Sequence, residues 1–195
     1  MKRILLIDGE NFKGKIRSVF NAEEEKDLIW NKYNLKGLFD KVLEGIEISE
    51  VCFYFARIKD HPKSSEKSKQ LIEEQRLLKT YLEGCGFNVV MAGSVRGNID
   101  KGGALVFKEK GVDVRIGVDM VVLACDKKVD SIILCSSDSD LQPAIKEVSE
   151  RGIECIYLGF EMQPNKGITY TTTRTILIRN SEIIAFKNKN NTLKI

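Results

Sequence analysis

The stretch that decides the fold is residues 132–140, IILCSSDSD, an apolar run of strand length that ends abruptly in serines and aspartates. Residues 4–11 read ILLIDGEN and have the same form. A run that is apolar throughout is typical of a strand buried on both faces of a parallel sheet. Because parallel strands end at one edge, we expect Asp8 and Asp138 to meet there, where carboxylates commonly hold a divalent cation.

Strand-like and helix-like segments alternate along the rest of the chain. Further strands are predicted at residues 51–56, 87–92, 153–158 and 176–178, and helices at 65–83, 112–125 and 141–151. Such alternation implies right-handed crossovers that cover both faces of one sheet. We therefore expect an α/β fold of three layers, α/β/α, with a mostly parallel central sheet of about five to six strands.

The chain is predicted to be one domain over residues 1–186, followed by a polar tail at 187–195. A length of 195 residues is enough to bury a substantial core. Residues 93–111 are rich in glycine and charge and predict a hairpin or an excursion over the surface. Residues 13–48 carry apolar positions at helix period, and the sequence leaves their role open.

Composition excludes several classes of protein. The chain is 43% hydrophobic and 30% charged, which is typical of a globular protein, and no apolar stretch approaches the ~20 residues of a membrane span. An immediate strand at the N-terminus predicts that there is no signal peptide. Five cysteines without CxxC spacing predict reduced core residues and a cytoplasmic location. His61 is the only histidine, which excludes a zinc site built on several histidines.

Basic side chains are expected around an acidic pocket. The net charge is only +3, but several aspartates converging on one site would leave the remaining surface more basic than that total. Arg57, Arg96 and Lys110 lie in basic stretches that would suit the phosphates of a polyanion. The plainer interpretation is a solvated face.

Two aspartates, Asp138 and Asp140, lie where a helix is expected to begin. One polar residue must cap that helix, and Pro143 fits its first turn; capping does not explain two aspartates and three serines together. Asp8 precedes a glycine and suits a turn, and Asn11 could orient Asp8 or touch a substrate. Each residue therefore has both a structural and a functional interpretation.

Asp119 is the sharpest acidic signal because its helix, residues 112–125, is apolar nearly all round. Such a helix is expected to be buried, and a buried carboxylate needs a partner. Arg115, four residues earlier on the same face, is one candidate. A metal ion shared with Asp8 and Asp138 is the other candidate, and the one that we favour.

Asp113 precedes Asp119 by six residues, which at ~100° per residue places the two on different helical faces. We expect Asp113 to be the N-cap of the helix, or an acid in the outer shell of the site, with Lys110 as its partner. Neither role makes it a metal ligand.

Oxygen ligands without histidine suit Mg²⁺ or Mn²⁺. Three or four carboxylates can hold one or two such ions, generate a hydroxide nucleophile and stabilise the leaving oxygen of a phosphodiester. The sequence has no Walker A loop and no GxGxxG fingerprint, which argues against a nucleoside-triphosphate or dinucleotide enzyme.

Three acidic blocks, in this order, resemble the signature of NYN domains, which are PIN-like nucleases. The blocks are residues 8–11 (DGEN), 110–120 (KGVDVRIGVDM) and 136–143 (SSDSDLQP). Residues 93–96 and 159–166 add a likeness to the LabA-like (DUF88) branch. The resemblance covers nearly the whole chain.

The resemblance implies a PIN-like, Rossmann-like sheet and metal-dependent endoribonuclease chemistry. It carries five catalytic positions over to this chain: Asp8, Asn11, Asp119, Asp138 and Asp140. Of these, Asp8, Asp119 and Asp138 match the acids that bind the metal. Asp113 and Ser137 would lie in the outer shell, and Ser137 stands where the family usually has glycine.

The first hypothesis is therefore a Mg²⁺- or Mn²⁺-dependent ribonuclease whose partner is RNA, with no membrane partner. The alternative is a non-catalytic module that binds RNA or a regulatory protein with the same pocket. A third is a metal-dependent phosphatase, in which Asp8 would be the nucleophile and Glu10, two residues later, the second acid. A homo-oligomer is compatible with the sequence, which does not specify the oligomeric state.

Overall fold

The computed structural model describes residues 1–23, 28–59, 65–99 and 105–187. Its strands are β1 (Arg3–Asp8), β2 (Glu50–Arg57), β3 (Asn88–Ile99), β4 (Leu105–Lys110), β5 (Ser131–Cys135), β6 (Glu154–Phe160) and β7 (Arg174–Ile178). Its α-helices are α1 (Gly9–Ala22), α2 (Leu35–Val42), α3 (Ser65–Gly84), α4 (Val112–Cys125), α5 (Gln142–Glu150), α6 (Lys166–Thr171) and α7 (Asn180–Ala185). The predicted alternation of strands and helices is confirmed.

The strands form one sheet in the order β4-β3-β2-β1-β5-β6-β7. Neighbouring strands are parallel except β3 and β4, which make an antiparallel hairpin at one edge. The sheet is therefore 7-stranded, wider than predicted, because residues 93–111 lengthen β3 and supply β4. β1 lies between β2 and β5, where the strand order reverses, and such switch points are where open α/β sheets bind ligands.

The three-layer architecture follows from the apolar character of β1 and β5 on both faces. Leu5 and Ile7 belong to a buried cluster with side chains of α1, α2, α3 and α7. Ile4 and Leu6 belong to a second cluster with side chains of α4, α5 and α6. Because successive side chains of a strand point to opposite faces, one run of apolar residues supplies both cores.

The hairpin at the edge sets the position of α4. Ser94 pairs with Arg57 of β2 on one side and with Lys110 of β4 on the other, so β4 ends level with the carboxyl end of β2. Gly93 has a φ of +70°, and a Cβ there would lie 2.1 Å from the Lys110 carbonyl oxygen. Glycine alone accepts this approach cheaply, and it brings the start of α4 back to the edge where Asp8 lies.

Two predictions about helices are corrected. The helix at 112–125 has the expected bounds but is not buried all round, because one stripe of it faces solvent: Val114 (65% exposed), Val118 (51%) and Val122 (46%). The helix α7 lies inside a segment for which no helix was predicted, although Ile183 is buried against α1 and α2. The apolar content of a helix indicates its mean burial but not which face has a neighbour.

None of the helices in the described ranges is long and apolar enough to cross a membrane. All five cysteines are described and free, although Cys125 is exposed and Cys85 half-buried, so they are not all core residues. His61 and residues 188–195 lie outside the described residues.

Candidate metal centre

β1 ends at Asp8, beside the end of β5, because Ile7 pairs with Cys135 in the parallel register. Asp8 is only 9% exposed. One carboxylate oxygen accepts a hydrogen bond from the Asn11 N–H at 3.0 Å and so caps α1. The other accepts from the Ser136 hydroxyl at 3.4 Å. Asp8 therefore has the predicted turn role, and its second oxygen is directed to the segment that follows β5.

The surroundings of Asp8 disfavour its charge. Burial raises the pKa of its carboxyl, the hydrogen bonds from Asn11 and Ser136 lower it, and the nearby carboxylates of Asp138 and Glu10 raise it again. Within the described chain no lysine or arginine forms an ion pair with Asp8. A buried carboxylate beside two others and without a cation is electrostatically unsatisfied.

Three further carboxylates form a group, one of which, Asp138, interacts electrostatically with Asp8. One oxygen each of Asp113, Asp138 and Asp140 lies within 4.8 Å of the other two. Asp138 begins the 3₁₀ turn Ser139–Leu141 and accepts a hydrogen bond from the Asp140 N–H at 3.0 Å. Asp113 lies in the first turn of α4. The fold therefore brings together acids from two of the three predicted blocks, beside the aspartate of the remaining one.

A network of amides and hydroxyls fixes the segment that carries Asp138. The side-chain oxygen of Asn11 accepts hydrogen bonds from the Ser137 N–H at 3.1 Å and from its hydroxyl at 3.0 Å. Asn165 donates to the Ser137 carbonyl oxygen at 2.8 Å and also caps α6. Ser136 accepts from the Asp138 N–H at 3.2 Å. Asn11 thus positions the loop after β5, and its side-chain oxygen is occupied by Ser137.

Asp119 has the alternative partner that the sequence left open. Nε of Arg115 lies 2.8 and 2.9 Å from its two carboxylate oxygens, and the Tyr54 hydroxyl donates to it at 3.0 Å. Six residues of helix, about 9 Å along the axis, separate it from Asp113. In the described part of the chain, the group of acids within reach of one ion includes Asp113 and not Asp119. Of the trio expected from the sequence, Asp8, Asp119 and Asp138, this group contains only Asp138, and the trio itself stays a prediction.

Asp113 is also not the helix cap that was expected. The residue before α4 is Gly111, with a φ of +90°, so the position needs a left-handed backbone that glycine adopts freely. Asp113 follows inside the first turn, where the helix dipole favours a negative charge. No ion pair joins it to Lys110 among the described residues. Its carboxylate is left to face Asp138 and Asp140.

Two further acids lie beside the centre. Burial raises the pKa of Glu109 to about 7, helped by repulsion from Asp8, Glu10 and Asp113 and opposed by Lys13. Glu10 makes an ion pair with Lys13 at 2.7 Å. No sequence pattern singled out Glu109, because only the pairing of β3 with β4 brings it to this edge. Asn165 had a signal, because it lies in the 159–166 block that resembles the LabA-like branch.

The basic residues predicted to contact phosphates are less well defined. Arg57 is exposed at the carboxyl end of β2, and Lys110 is exposed at the end of β4. Arg96 lies in β3, opposite Lys108, and its side chain is outside the described part of the structure. Arg57 and Lys110 thus lie at the edge of the sheet that carries the acidic residues, as the predicted role requires.

The donor set fits a hard divalent cation. The acidic group offers only carboxylate oxygens, which Mg²⁺ and Mn²⁺ prefer, and it contains no nitrogen or sulfur ligand. Clustered carboxylates repel each other, and a cation would remove both this repulsion and the electrostatic cost at Asp8. The centre is therefore that of a carboxylate-rich α/β protein able to hold such an ion at the switch point of its sheet.

The family of the chain agrees with this architecture. The family model of the NYN domain matches residues 2–177, and the chain belongs to that family, a PIN-like nuclease domain family. The match does not distinguish the LabA-like branch, which stays a prediction.

A solved structure shares the fold. A protein of unknown function from Vibrio parahaemolyticus aligns with a TM-score of 0.60 and 21% sequence identity, covering 91% of this chain and 92% of the other. No curated protein matches the chain.

Proposed function

We propose that this chain is an endoribonuclease that uses Mg²⁺ or Mn²⁺ to hydrolyse phosphodiester bonds of RNA. The observation that carries the proposal is the group formed by Asp113, Asp138 and Asp140, which lies beside the buried and uncompensated Asp8. The nuclease character of the NYN family supports it.

The residues have distinct roles in this proposal. Asp113, Asp138 and Asp140 would hold the ion, and Asp8 would add a carboxylate from the β1 side. The bound ion supplies positive charge at the phosphodiester and a nucleophile active at neutral pH. Asn11 and Ser137 hold the loop that carries Asp138. Asp119 is left out of the ligand set because Arg115 and Tyr54 already satisfy it.

Side chains around the ion would bind the substrate and transfer protons. Arg57 and Lys110, exposed at the same edge, would contact phosphates and hold the RNA strand. Glu109, with a pKa of about 7, can give or take a proton near neutral pH. The free cysteines agree with a reducing compartment such as the cytoplasm.

The test compares Asp138, whose carboxylate lies near that of Asp113 in the first turn of α4, with Asp126, which follows the last turn of that helix. Asp138→Asn removes one charge from the group, whereas Asp126→Asn removes an exposed charge that pairs with Lys128 at 2.7 Å just after the helix. A helix of 14 residues spans about 20 Å, so Asp126 is remote from the centre. We expect Asp138→Asn to slow Mn²⁺-dependent cleavage of a labelled single-stranded RNA by about 100-fold or more and Asp126→Asn to leave it unchanged.

Three outcomes are informative. EDTA should abolish cleavage by the wild type, and excess Mn²⁺ should restore it. Cleavage by Asp138→Asn at the wild-type rate would overturn the proposal. Absence of cleavage in a wild type that binds both RNA and Mn²⁺ would favour the non-catalytic module instead.

A further inference from the structure

A groove of about 710 Å³ opens beside the candidate metal centre. Its volume lies within the ~300–1,000 Å³ typical of ligand sites. α1 and residues 28–31 form one wall, α3 forms the other, and the end of β2 forms the floor. Glu10 and Glu109 line the groove, and each interacts electrostatically with Asp8. The groove therefore lies close to the acidic centre.

Aromatic rings and cations lie together in this groove. Nζ of Lys13 is 5.9 Å from the centre of the Trp30 ring and 5.8 Å from that of Phe55. The guanidinium of Arg17 lies 5.6 Å from the Trp30 ring. Lys13 is neutralised by Glu10, whereas Arg17 is exposed and has no carboxylate partner among the described residues. The groove thus offers an aromatic surface and one unneutralised cation next to it.

The polar groups of the groove floor are already engaged. Gln75 of α3 donates to the Ala56 carbonyl oxygen at 2.8 Å and accepts from the Ile58 N–H at 3.4 Å. These bonds fix the wall to the end of β2 and leave Gln75 little capacity to read a ligand. Gln75 would therefore add little hydrogen-bond discrimination to the contacts that an occupant makes by stacking and charge.

The indole N–H of Trp30 is a feature of the groove wall and is not open to an occupant. It is buried and meets no acceptor within the described ranges of the chain. An unsatisfied buried donor typically costs ~1–3 kcal/mol, and aromatic side chains that carry such a donor usually find a partner.

We propose that this groove binds an unpaired nucleobase of the RNA strand whose phosphodiester lies at the carboxylates. The base stacks in the aromatic part of the groove beside Trp30, and Arg17 contacts a neighbouring phosphate. The inference rests on the proposed function and deepens it by assigning the contacts with one base and one phosphate to named residues of this chain. Bases inside an RNA duplex are stacked and paired and do not reach such a groove.

A peptide is the less favoured occupant. An apolar peptide would leave the exposed cation of Arg17 without a partner. A nucleic acid strand satisfies Arg17 with a phosphate and places its next phosphate toward the carboxylates and their ion.

Trp30 is the only tryptophan of the chain, so its fluorescence reports on this groove. The experiment titrates the full chain with single-stranded oligoadenylate in EDTA, where no cleavage occurs, and then with the same strand paired to oligouridylate. An abasic strand of the same length separates stacking from phosphate contacts. We expect the single strand to quench Trp30, the duplex to leave it unchanged, and the abasic strand to bind about tenfold more weakly.

Two arginine variants provide the matched pair, with binding followed by anisotropy of a labelled strand. Arg17→Ala should weaken binding about tenfold. Arg76→Ala removes an exposed arginine of α3 that is paired with Glu73 and lies outside the groove lining, and it should change nothing. Both residues are exposed, so neither variant threatens folding.

Equal binding of the abasic and intact strands, or equal binding by Arg17→Ala and wild type, would overturn the groove proposal. Because these measurements need no metal and no cleavage, they also separate the two proposals. If strands bind the groove but are never cut, the nuclease proposal alone fails. If RNA is cut while the intact strand leaves Trp30 fluorescence unchanged, the groove proposal alone fails.

Discussion

Asp8 and Asp119 are aspartates of one fold with opposite surroundings. Asp8, at the end of β1, receives one N–H and one hydroxyl and faces the negative charges of Asp138 and Glu10. Asp119, in the middle of α4, receives both an arginine guanidinium and the Tyr54 hydroxyl. The charge of Asp119 is balanced by the protein, whereas that of Asp8 is left unbalanced.

The comparison teaches where a metal site is needed. A carboxylate that already has a cation gains little from a second one, while a buried carboxylate among others gains much. Burial alone did not distinguish the two aspartates, because both are largely shielded from solvent. The side chain of Asp119 is 22% exposed, and the whole residue Asp8 is 9% exposed. The identity of the neighbours distinguishes them.

The largest expected effect is on cleavage. Asp8→Asn keeps the size of the side chain but removes the charge beside the acidic group, so it should slow Mn²⁺-dependent RNA cleavage by about 100-fold or more. The cleavage rate of Asp119→Asn should stay within about threefold of wild type, because the charge of Asp119 is engaged in the ion pair with Arg115. Rates measured at saturating RNA and Mn²⁺ decide this. The reverse order would return Asp119 to the ligand set that the sequence suggested.

The next effect is on metal-dependent stability. An ion at 100 times its dissociation constant should stabilise the native wild type by about 2.7 kcal/mol, seen as a higher Tm in thermal unfolding with Mn²⁺. Asp113→Asn should lose most of this gain, because its carboxylate belongs to the group that would hold the ion. Asp119→Asn should retain the gain. A full metal response in Asp113→Asn would remove that residue from the proposed site.

A smaller effect, of opposite sign at the two aspartates, is expected without metal. The raised pKa of Asp8 means that the native state binds its proton more tightly than the unfolded state. The free energy of unfolding therefore falls as the pH rises from the ordinary value of 3.8 through the raised one. The asparagine of the variant Asp8→Asn does not ionise, so the variant does not lose this free energy of unfolding as the pH rises. It should therefore be more stable than wild type at pH 7 in EDTA.

Asp119→Asn should instead be less stable than wild type, by about 1 kcal/mol, since it weakens hydrogen bonds to Arg115 and Tyr54. Urea unfolding of both variants in EDTA at pH 7 measures the sign of each change in the free energy of unfolding relative to wild type. Equal losses at both positions would mean that Asp8 is as well compensated as Asp119, contrary to the contacts in the structure.

The smallest effect concerns Glu109. Its pKa rises from 4.5 to about 7, so the free energy of unfolding in EDTA should decline between these pH values as the carboxyl ionises. Glu109→Gln should flatten that decline, modestly, because the side chain is partly open to solvent. Glu73→Gln serves as the control. The neighbouring Arg76 lowers the pKa of Glu73, so the ionisation of Glu73 changes the free energy of unfolding only at lower pH than that of Glu109. An unchanged slope in Glu109→Gln would contradict the crowding of carboxylates.

Local sequence predicted the central strands well because their signal is strong. The apolar runs at 4–7 and 132–135 lie inside β1 and β5, and β2 extends the predicted strand at 51–56 by one residue at each end. The acids that follow β1 and β5 were predicted from the same runs. The hairpin predicted as one possibility at residues 93–111 is present and makes the sheet one strand wider than the five to six predicted, whereas the close approach at Gly93 has no signal in the periodicity.

The burial of α4 was overestimated, and the prediction that Asp119 binds the metal rested in part on that burial. The expectation of a helix buried all round made Asp119 look stranded and therefore metal-bound. In the structure Val114, Val118 and Val122 are exposed, the face of Asp119 reaches Arg115, and the first turn of the helix, with Asp113, reaches the carboxyl edge. Helical periodicity orders residues around an axis but does not fix how far the axis slides along the sheet.

The sequence by itself determined the α/β class, the parallel centre of the sheet and the presence of acids at the ends of β1 and β5. These features depend on runs of neighbouring residues, and the end of a buried strand is a local signal. Only the tertiary structure decided which of Asp113 and Asp119 joins Asp138, brought Glu109 beside Asp8, and formed the groove of Trp30 and Arg17. Those outcomes depend on contacts between residues far apart in the chain, where distance and charge balance are set by packing and not by spacing.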